Sequence, residues 1–331
     1  MTRQRTTDTP TALDVIDLGA HPDWPLHLRR PVPIDWAGRT WPTPEHAFAA
    51  AHTTSTIAWD RIADPATSSD DAHRIGTGAV RRDDWPTARF TVLREIVAAM
   101  TSDLVVRAAL SATGDALLVA AGPDKLWGRH RDRGYKTPIG RNELGRIWMR
   151  QRAVDRGDAP DRWIRAAVIG HREHLIVEPD TREWVQGELS RLAAKLAAEH
   201  GTEIAMSGWA TGAGLWWADA AHRAGMALWA YLPYPEQTAG WRPEQIAEHQ
   251  RLLAPASRRV TVGGRADKRF DHDRSALMLS DADVVIAVRD PRITIGATVA
   301  ALRELAARRR VITVDVVARS TTISAVDPVF A

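Results

Sequence analysis

EIAMSGWATGAGLWWADAAHRAGMALWAYL, residues 203–232, carries the pattern that decides the fold. The apolar run EIAM passes into a turn rich in glycine and hydroxyl groups. An amphipathic stretch, LWWADAAHRAG, follows, and then a second apolar run, ALWAYL. Strand, helix and strand in that order form a βαβ unit, because parallel neighbours need a crossover long enough to span one face of the sheet. Working outward, RAAVIG (165–170), RRVTV (258–262), DVVIAV (283–288) and VITVDV (311–316) are further continuous apolar runs, suited to strands buried on both faces. REWVQGELSRLAAKLAAEHG, PEQIAEHQRLLA and GATVAALRELAARR fill most of the gaps with helical patterns. The alternation predicts a doubly wound parallel sheet whose ligand binds beyond the C-terminal strand ends.

Residues ahead of this block read differently, with helical patterns broken by Pro and Gly and few clear strands. In AVRRDDWPTARFTVLREIVAAM (79–100), Trp85 and Pro86 open a helix on which Phe90, Leu93, Val97 and Met100 recur at helical spacing, a core stripe. A Gly/Asp/Pro segment, 157–160, marks a boundary. The expected organisation is a disordered polar tail (1–10), a mostly helical α+β domain (11–156) and a doubly wound sheet domain (163–331), an α/β chain overall. At 331 residues, two domains of about 150 residues each are the expectation.

Composition limits the function classes. With 44% apolar and 26% charged residues the chain reads as soluble and globular. No apolar run approaches the roughly 20 residues a bilayer span needs, and the polar start MTRQRTTDTP lacks a signal-peptide core, so a cytoplasmic protein without a membrane partner is expected. The absence of cysteine removes disulfides, thiolate nucleophiles and thiolate metal ligands together. Net charge is +3, with 44 basic residues interleaved among 41 acidic ones, which disfavours a nucleic-acid partner. Fourteen tryptophans against four phenylalanines and three tyrosines supply flat faces for stacking on bases, although most are expected in the core.

Three loops at the expected strand ends carry candidate chemistry. GHREH (170–174) turns tightly off its strand and offers the planar fork of Arg172 to a phosphate. SGWATGAGLWWAD (207–219) sets glycines and hydroxyls ahead of a helix, where free amides and the helix dipole favour an anion. DPRITIGAT (290–298) opens another helix. Together they predict a nucleotide pocket. Each alone is also ordinary turn chemistry. His171 and His174 lack a third ligand nearby, so neither a metal nor another cofactor is expected, and Asp271, His272 and Asp273 read as a solvated loop.

In motif order, Gly170-His171-Arg172, Ser207-Gly208 with Thr211, Gly212, Gly214 and Asp219, Arg274 to Met278, and Gly296 to Thr298 resemble the SLOG group of Rossmann-like nucleotide binders over about 165–316. The resemblance implies that Gly170, His171, Arg172, Ser207, Gly208, Thr211, Gly212, Gly214, Asp219, Arg274, Gly296 and Thr298 hold a nucleotide. Some members of that group are phosphoribohydrolases with a glutamate shortly after a Gly-Thr pair. Here Ala300 or Ala301 stands in that slot, so binding rather than catalysis is implied for this half.

TWPTPEHAFAAAH (40–52) is the chemical centre of the first half. Thr43 suits an N-cap and Pro44 the first helical position, and a helix from there sets Glu45, Ala49 and His52 on one face. A first-turn glutamate is also good dipole chemistry, worth about 0.3–1 kcal/mol. With RIGTGAVRRDDW, ALSATGDALLVAAGPDKLWG and GRNELGRIWMRQR, this stretch resembles the NADAR family over about 25–152. The resemblance implies hydrolysis of an N-glycosidic bond in a ribosylated substrate, ADP-ribose on guanine or a ribosylamino pyrimidine. It implies that Asp124, Trp127, Gly128, Asn142 and Gly145 line the ribose and phosphate site. His52 stands where the family has a lysine that attacks the anomeric carbon, Ala49 where it has a glutamine and Val119 where it has a glutamate, while His27-Leu28-Arg29 replaces Ser-Asn-Phe. Imidazole forms no imine, but it can serve as a general base for water.

Two readings stand. In the first, the chain is an N-glycosyl hydrolase with Glu45, His52, Asp124, Trp127 and Asn142 as its site and a nucleotide or ADP-ribose-like ligand in each half. In the second, it is a catalytically degenerate sensor of such ligands. Helices around such sheets often mediate dimers, so a homo-oligomer is admitted among the partners.

Overall fold

The computed structural model describes residues 9–20, 23–305 and 309–324; most of the polar tail lies outside them. Two compact units divide the chain, Met1–Gly122 with Asn142–Asp158 and Pro123–Arg141 with Ala159–Ala331. Among the described residues no helix is long and apolar enough to cross a membrane.

The first unit is mostly helical. Its strands are short: β1 (Val15–Asp17) pairs in parallel with β4 (Leu117–Val119), and β2 (Ile34–Trp36) forms a hairpin with β3 (Arg39–Trp41). Thr43, in extended conformation, caps α1 (Pro44–Ala50) and accepts from the His46 amide. Ser55 and Ser68 cap α2 (Thr56–Ala63) and α3 (Ser69–Gly78) in the same way, each satisfying one of the amides a helix start leaves open. On α4 (Trp85–Met100) the expected stripe Phe90, Leu93, Val97 and Met100 is buried. Asp103 caps α5 (Leu104–Ser111), and α6 (Glu143–Arg156) closes the unit, ending at Gly157.

Helices α1 and α3 pack together, and the contact depends on one residue. A methyl group at Gly76 would lie 2.2 Å from the Ala49 carbonyl oxygen.

The second unit holds a seven-stranded sheet, ordered β11-β10-β9-β5-β6-β7-β8. β5 (Arg165–Gly170) and β7 (Ala227–Leu232) coincide with RAAVIG and ALWAYL. β6 (Ile204–Ser207), β8 (Arg258–Thr261), β9 (Val284–Arg289) and β10 (Arg310–Asp315) fall within one residue of their apolar runs. These pairings are parallel; β11 (Ser320–Ile323) adds an antiparallel edge that its polar sequence, STTI, does not announce.

Side-chain alternation shows the layers. Ala166 and Val168 of β5 share a core with Val185, Leu189 and Leu192 of α7 (Pro179–His200), with Trp217 and Ala221 of α8 (Ala213–Arg223), and with Leu252 of α9 (Pro243–Leu253). Ala167 and Ile169 alternate with them and are equally buried, so the opposite face is covered too. α10 (Lys268–Asp281) and α11 (Ala297–Leu305) belong to that side, packed on each other and on β5 and β7 through α10. The expected solvated loop at Asp271–Asp273 is corrected here: these residues lie on α10, capped by Asp267, with Phe270, Arg274, Leu277 and Met278 buried at helical spacing. Strand order reverses between β5 and β9, so the crevice for a ligand opens beyond Gly170 and Arg289.

Replacing Gly76 by Ala in a helix ordinarily stabilises by up to about 1 kcal/mol. Here the expected outcome is the reverse, a loss of about 1–3 kcal/mol in urea unfolding, because the added methyl meets the α1 backbone.

Candidate functional sites

In the first unit, α1 delivers Glu45 and the turn after it delivers His52. The Glu45 amide donates to the Leu28 carbonyl (2.9 Å), which ties this helix start to the 27–29 segment. His46, although next to Glu45, is structural: its ring is buried between the Thr43 hydroxyl (2.7 Å) and the Thr67 carbonyl (2.9 Å).

The helix stops at Ala50, so His52 reaches the group from the following turn rather than from the helical face expected for it. Its ring lies against Trp85, centroids 4.1 Å apart, and edge-on to Phe48 at 5.8 Å. The ring of His73, on α3, is 6.3 Å away, and the Nδ1 of His73 is 4.0 Å from the Glu45 carboxylate. Carboxylate and imidazole thus flank a common neighbour. Burial first, and then the proximity of His73, Arg81 and Arg89, lower His52 from 6.5 to about 4. Pairing of Thr53 with Arg81, together with the bond from the Arg82 amide to the His52 carbonyl (3.0 Å), brings the first arginine close. Arg89 is half-buried, and its Nε has no hydrogen-bond partner in the protein. His27 is also lowered, by burial and then by Arg29, while Glu45 opposes the shift. The result is a neutral imidazole beside an indole, a nearby carboxylate and two guanidinium groups, an arrangement suited to water activation and to an anionic ligand.

Asn142 and Gly145 have a structural use. Asn142 is 0% exposed and left-handed (φ 55°); its side chain accepts from the Ala120 amide (2.9 Å) and donates to the Leu118 carbonyl (2.8 Å), so both of its ends clip β4. Ala49 is buried in the α1–α3 contact, and Val119 lies in β4. Asp124 and Trp127 belong to the second unit. Asp124 is exposed and accepts from the Leu126 amide (2.8 Å), a local turn, and Trp127 is half-buried.

In the second unit the loops converge at the strand ends. His171, 4% exposed, follows Gly170; its amide donates to Val288 on β9 (3.1 Å), and its carbonyl accepts from Ala213 at the start of α8 (3.3 Å). Its Nε2 has no hydrogen-bond partner in the protein, and burial lowers its pKa, opposed by the backbone and carboxylate of Asp290. Gly212 (φ +86°) interlocks with this loop, since a side chain there would strike the Glu173 amide nitrogen at 2.4 Å.

Arg274 of α10, 8% exposed, donates to the Gly208 carbonyl (2.5 Å), which also accepts from Gln237 (2.9 Å). Its Nε is unpaired, and Asp271 stands off at 4.0 Å. Burial lowers this guanidinium to about 10; Asp271 opposes the shift, and the nearby Arg172 adds to it. A buried cation held by a carbonyl, with a second cation near, attracts an anion.

Other expected ligand groups are occupied by the fold. The Ser207 hydroxyl donates to Gly214 (2.7 Å) and accepts from Trp209 (3.1 Å). Thr298 reaches the Gly170 carbonyl (3.3 Å), following Gly296 (φ +114°). Asp219 pairs with Arg223 and Arg251 and lines a cleft of about 300 Å³ with Glu173, Thr211, Gly212 and Trp216. Among the described residues no group of three or more His, Asp or Glu side chains is placed to hold a metal ion.

The contributions of His73, Trp85, Arg81 and Arg89 were not read from the sequence. His73 precedes RIGTG by one position, and only the α1–α3 contact brings it to Glu45.

Residues 24–154 match the model of a family described as the NADAR domain. Among solved structures, the chain is similar to the NMR structure of the E. coli protein YbiA. Identity is 25% and the TM-score 0.40, over 47% of this chain and 94% of that one. No curated protein matches.

Two outcomes check the geometry. In NMR titrations the His52 ring is expected to change protonation near pH 4, and Glu45→Gln is expected to lower the His27 midpoint further by removing the charge that supports its protonated form. Because folding depresses His52 from 6.5, its contribution to stability is complete above about pH 6.5 and is lost as the pH falls through about 4. Asn142→Ala is expected to destabilise by about 1–3 kcal/mol for each backbone group it orphans, measured by urea unfolding.

Proposed function

We propose that the chain hydrolyses the N-glycosidic bond of a ribosylated, phosphate-bearing nucleotide-type compound, with its chemistry in the first unit and a nucleotide-class ligand at the strand ends of the second. The observation that carries this reading is the grouping of His52 with Glu45, His73 and Trp85 in the first unit. An imidazole left neutral at physiological pH is free to accept a proton from water, as a weaker base than an unperturbed one.

The step is a direct displacement. Water attacks the anomeric carbon and gives a proton to His52 as the carbon–nitrogen bond breaks and its electron pair stays on the base nitrogen; the base takes up a proton from solvent, and His52 returns its own there. Glu45 supplies the negative charge that stabilises the oxocarbenium-like transition state. Trp85, 5% exposed, packs against the His52 ring, and Arg81 and Arg89 attract the substrate's phosphate. The lysine route of the NADAR resemblance, through an imine, is closed to this chain because His52 has no primary amine. By the same resemblance, Asn142 would serve the sugar only through the backbone it holds, while Asp124 and Trp127 belong to the other compact unit.

A second reading, a sensor without turnover, is favoured by Arg274. Its buried and incompletely paired guanidinium suits an anionic ligand whether or not the first unit catalyses.

The test is incubation with ADP-ribosylated guanosine, NAD, ADP-ribose and ribosylamino pyrimidine phosphates, followed by product analysis. The hydrolase reading expects free base and free ribosyl product, a loss of about 10²–10⁴ in kcat for Glu45→Gln and for His52→Ala, and a kcat/KM profile that falls as the pH drops through about 4. Ligand-dependent melting shifts without product from any of these compounds select the sensor.

A further inference from the structure

His73 enters no step of the displacement described above, although it stands beside both groups that do. It lies on α3 within the first unit, and the α1–α3 contact that Gly76 allows to close brings it there. Its Nδ1 is 4.0 Å from a Glu45 carboxylate oxygen, and its ring centre is 6.3 Å from that of His52, with the two planes at 73°. Asp70 and Asp71 of the same helix are paired with Arg29 and Arg74, which leaves Glu45 as the carboxylate facing the ring. The three groups differ in access to water. The His73 side chain is 56% exposed and that of Glu45 16%, while His52 is half-buried against Trp85.

Cleavage of a bond to an amine-type nitrogen leaves an electron pair on a poor leaving group, so departure is slow unless a proton arrives with it. His52 cannot deliver that proton in the step in which it receives one from water. Two adjacent imidazoles also resist being charged together. Burial, and then the proximity of His73, keep His52 neutral, so a proton carried by the pair sits on His73 with Glu45 as its counter-charge. The spacing suits the task. Where water displaces a leaving group directly at a sugar carbon, paired carboxyl groups stand roughly 6.5–9.5 Å apart, because a water molecule must fit on the side of the base. The ring centres of His52 and His73 lie near the short end of that range.

We propose that His73 is the proton donor of this site: it takes a proton from solvent at its exposed edge and passes it to the nitrogen of the departing base. The proposal rests on the hydrolase reading above and names the route by which the solvent proton reaches the base. Within one turnover His52 gains the proton of the attacking water and His73 loses one to the leaving nitrogen. His52 then releases its proton to solvent and His73 is recharged from it, so one water is consumed and both rings return to their starting states.

Dependence on the leaving group provides the test. The nicotinamide of NAD departs as a neutral pyridine and needs no proton, whereas the nitrogen of ADP-ribosylated guanosine or of a ribosylamino pyrimidine phosphate does. For His73→Ala and His73→Gln in the full chain, kcat is expected to fall by about 10²–10⁴ on whichever of the latter compounds the protein cleaves, and by no more than about tenfold on NAD. Added imidazole is expected to restore part of the rate lost in His73→Ala. Equal losses on both kinds of compound, which a merely structural role produces, overturn the assignment, as does an undiminished rate on the compound that needs a proton. Cleavage of NAD alone overturns it too, because that departure requires no donor. If the unaltered protein does not cleave NAD, rescue decides, and no recovery with imidazole overturns the assignment. Release of no product from any of these compounds by the unaltered protein sinks the hydrolase reading and the donor with it, whereas product formed at full rate by His73→Ala removes the donor alone.

Discussion

Strand β5 is buried on both faces and hydrogen-bonded along both edges, and most of the second unit answers to that constraint. A strand so placed has no water to satisfy its backbone, so it needs a parallel partner on each side and helices above and below. The first requirement brings β6 and β9 to its flanks and sets the reversal of strand order beside Gly170. The second requires α10 on the face that α7, α8 and α9 leave open. α10 also carries Asp273 and Asp281 to segment 123–141, the latter while it accepts from Tyr231 of β7, and Arg274 reaches the Gly208 turn. One helix thereby serves core, ligand turn and loop.

The first unit follows a different economy. Its short strands contribute little burial, and its organisation comes from helix contacts close enough to exclude a methyl group at Gly76. That approach sets the ring of His73 between Glu45 and His52, and the same compactness desolvates His52. Where the NADAR resemblance has an amine, the unit holds a base that burial and neighbouring cations keep unprotonated. A lysine at position 52 would meet the same Arg81 and Arg89, so the surroundings disfavour a proton on whichever group stands there.

Much of the architecture was legible in the sequence, for a physical reason that also marks where legibility stopped. Doubly buried strands are continuous apolar runs, and β5 and β7 coincide with theirs to the residue. α10 was unreadable as a helix because its inward row includes Arg274 and its remaining positions carry Asp271, His272 and Asp273; burial of a charged group breaks the apolar rhythm on which such a reading depends. β11 is a polar edge strand, visible only through its partner β10. At the candidate sites, motif residues could be located but not their employment. The bonds of Asn142 and Ser207 are spent on backbone, a fact of three-dimensional bonding that spacing does not encode. His73 and Arg89 enter the site through contacts between separate helices, and no local pattern announces such contacts.

The path of the chain has a consequence for descent. It passes from one compact unit to the other after Gly122, returns at Asn142 and leaves again after Asp158. Two domains joined by a single linker can be exchanged by one recombination event, whereas here a swap of either half strands a stretch of nineteen residues, 123–141, without the surface it was shaped against. A substitution at Asp281 or Asp273 is therefore answerable to Arg129 or Tyr135, which the sequence places between the two stretches of the first unit.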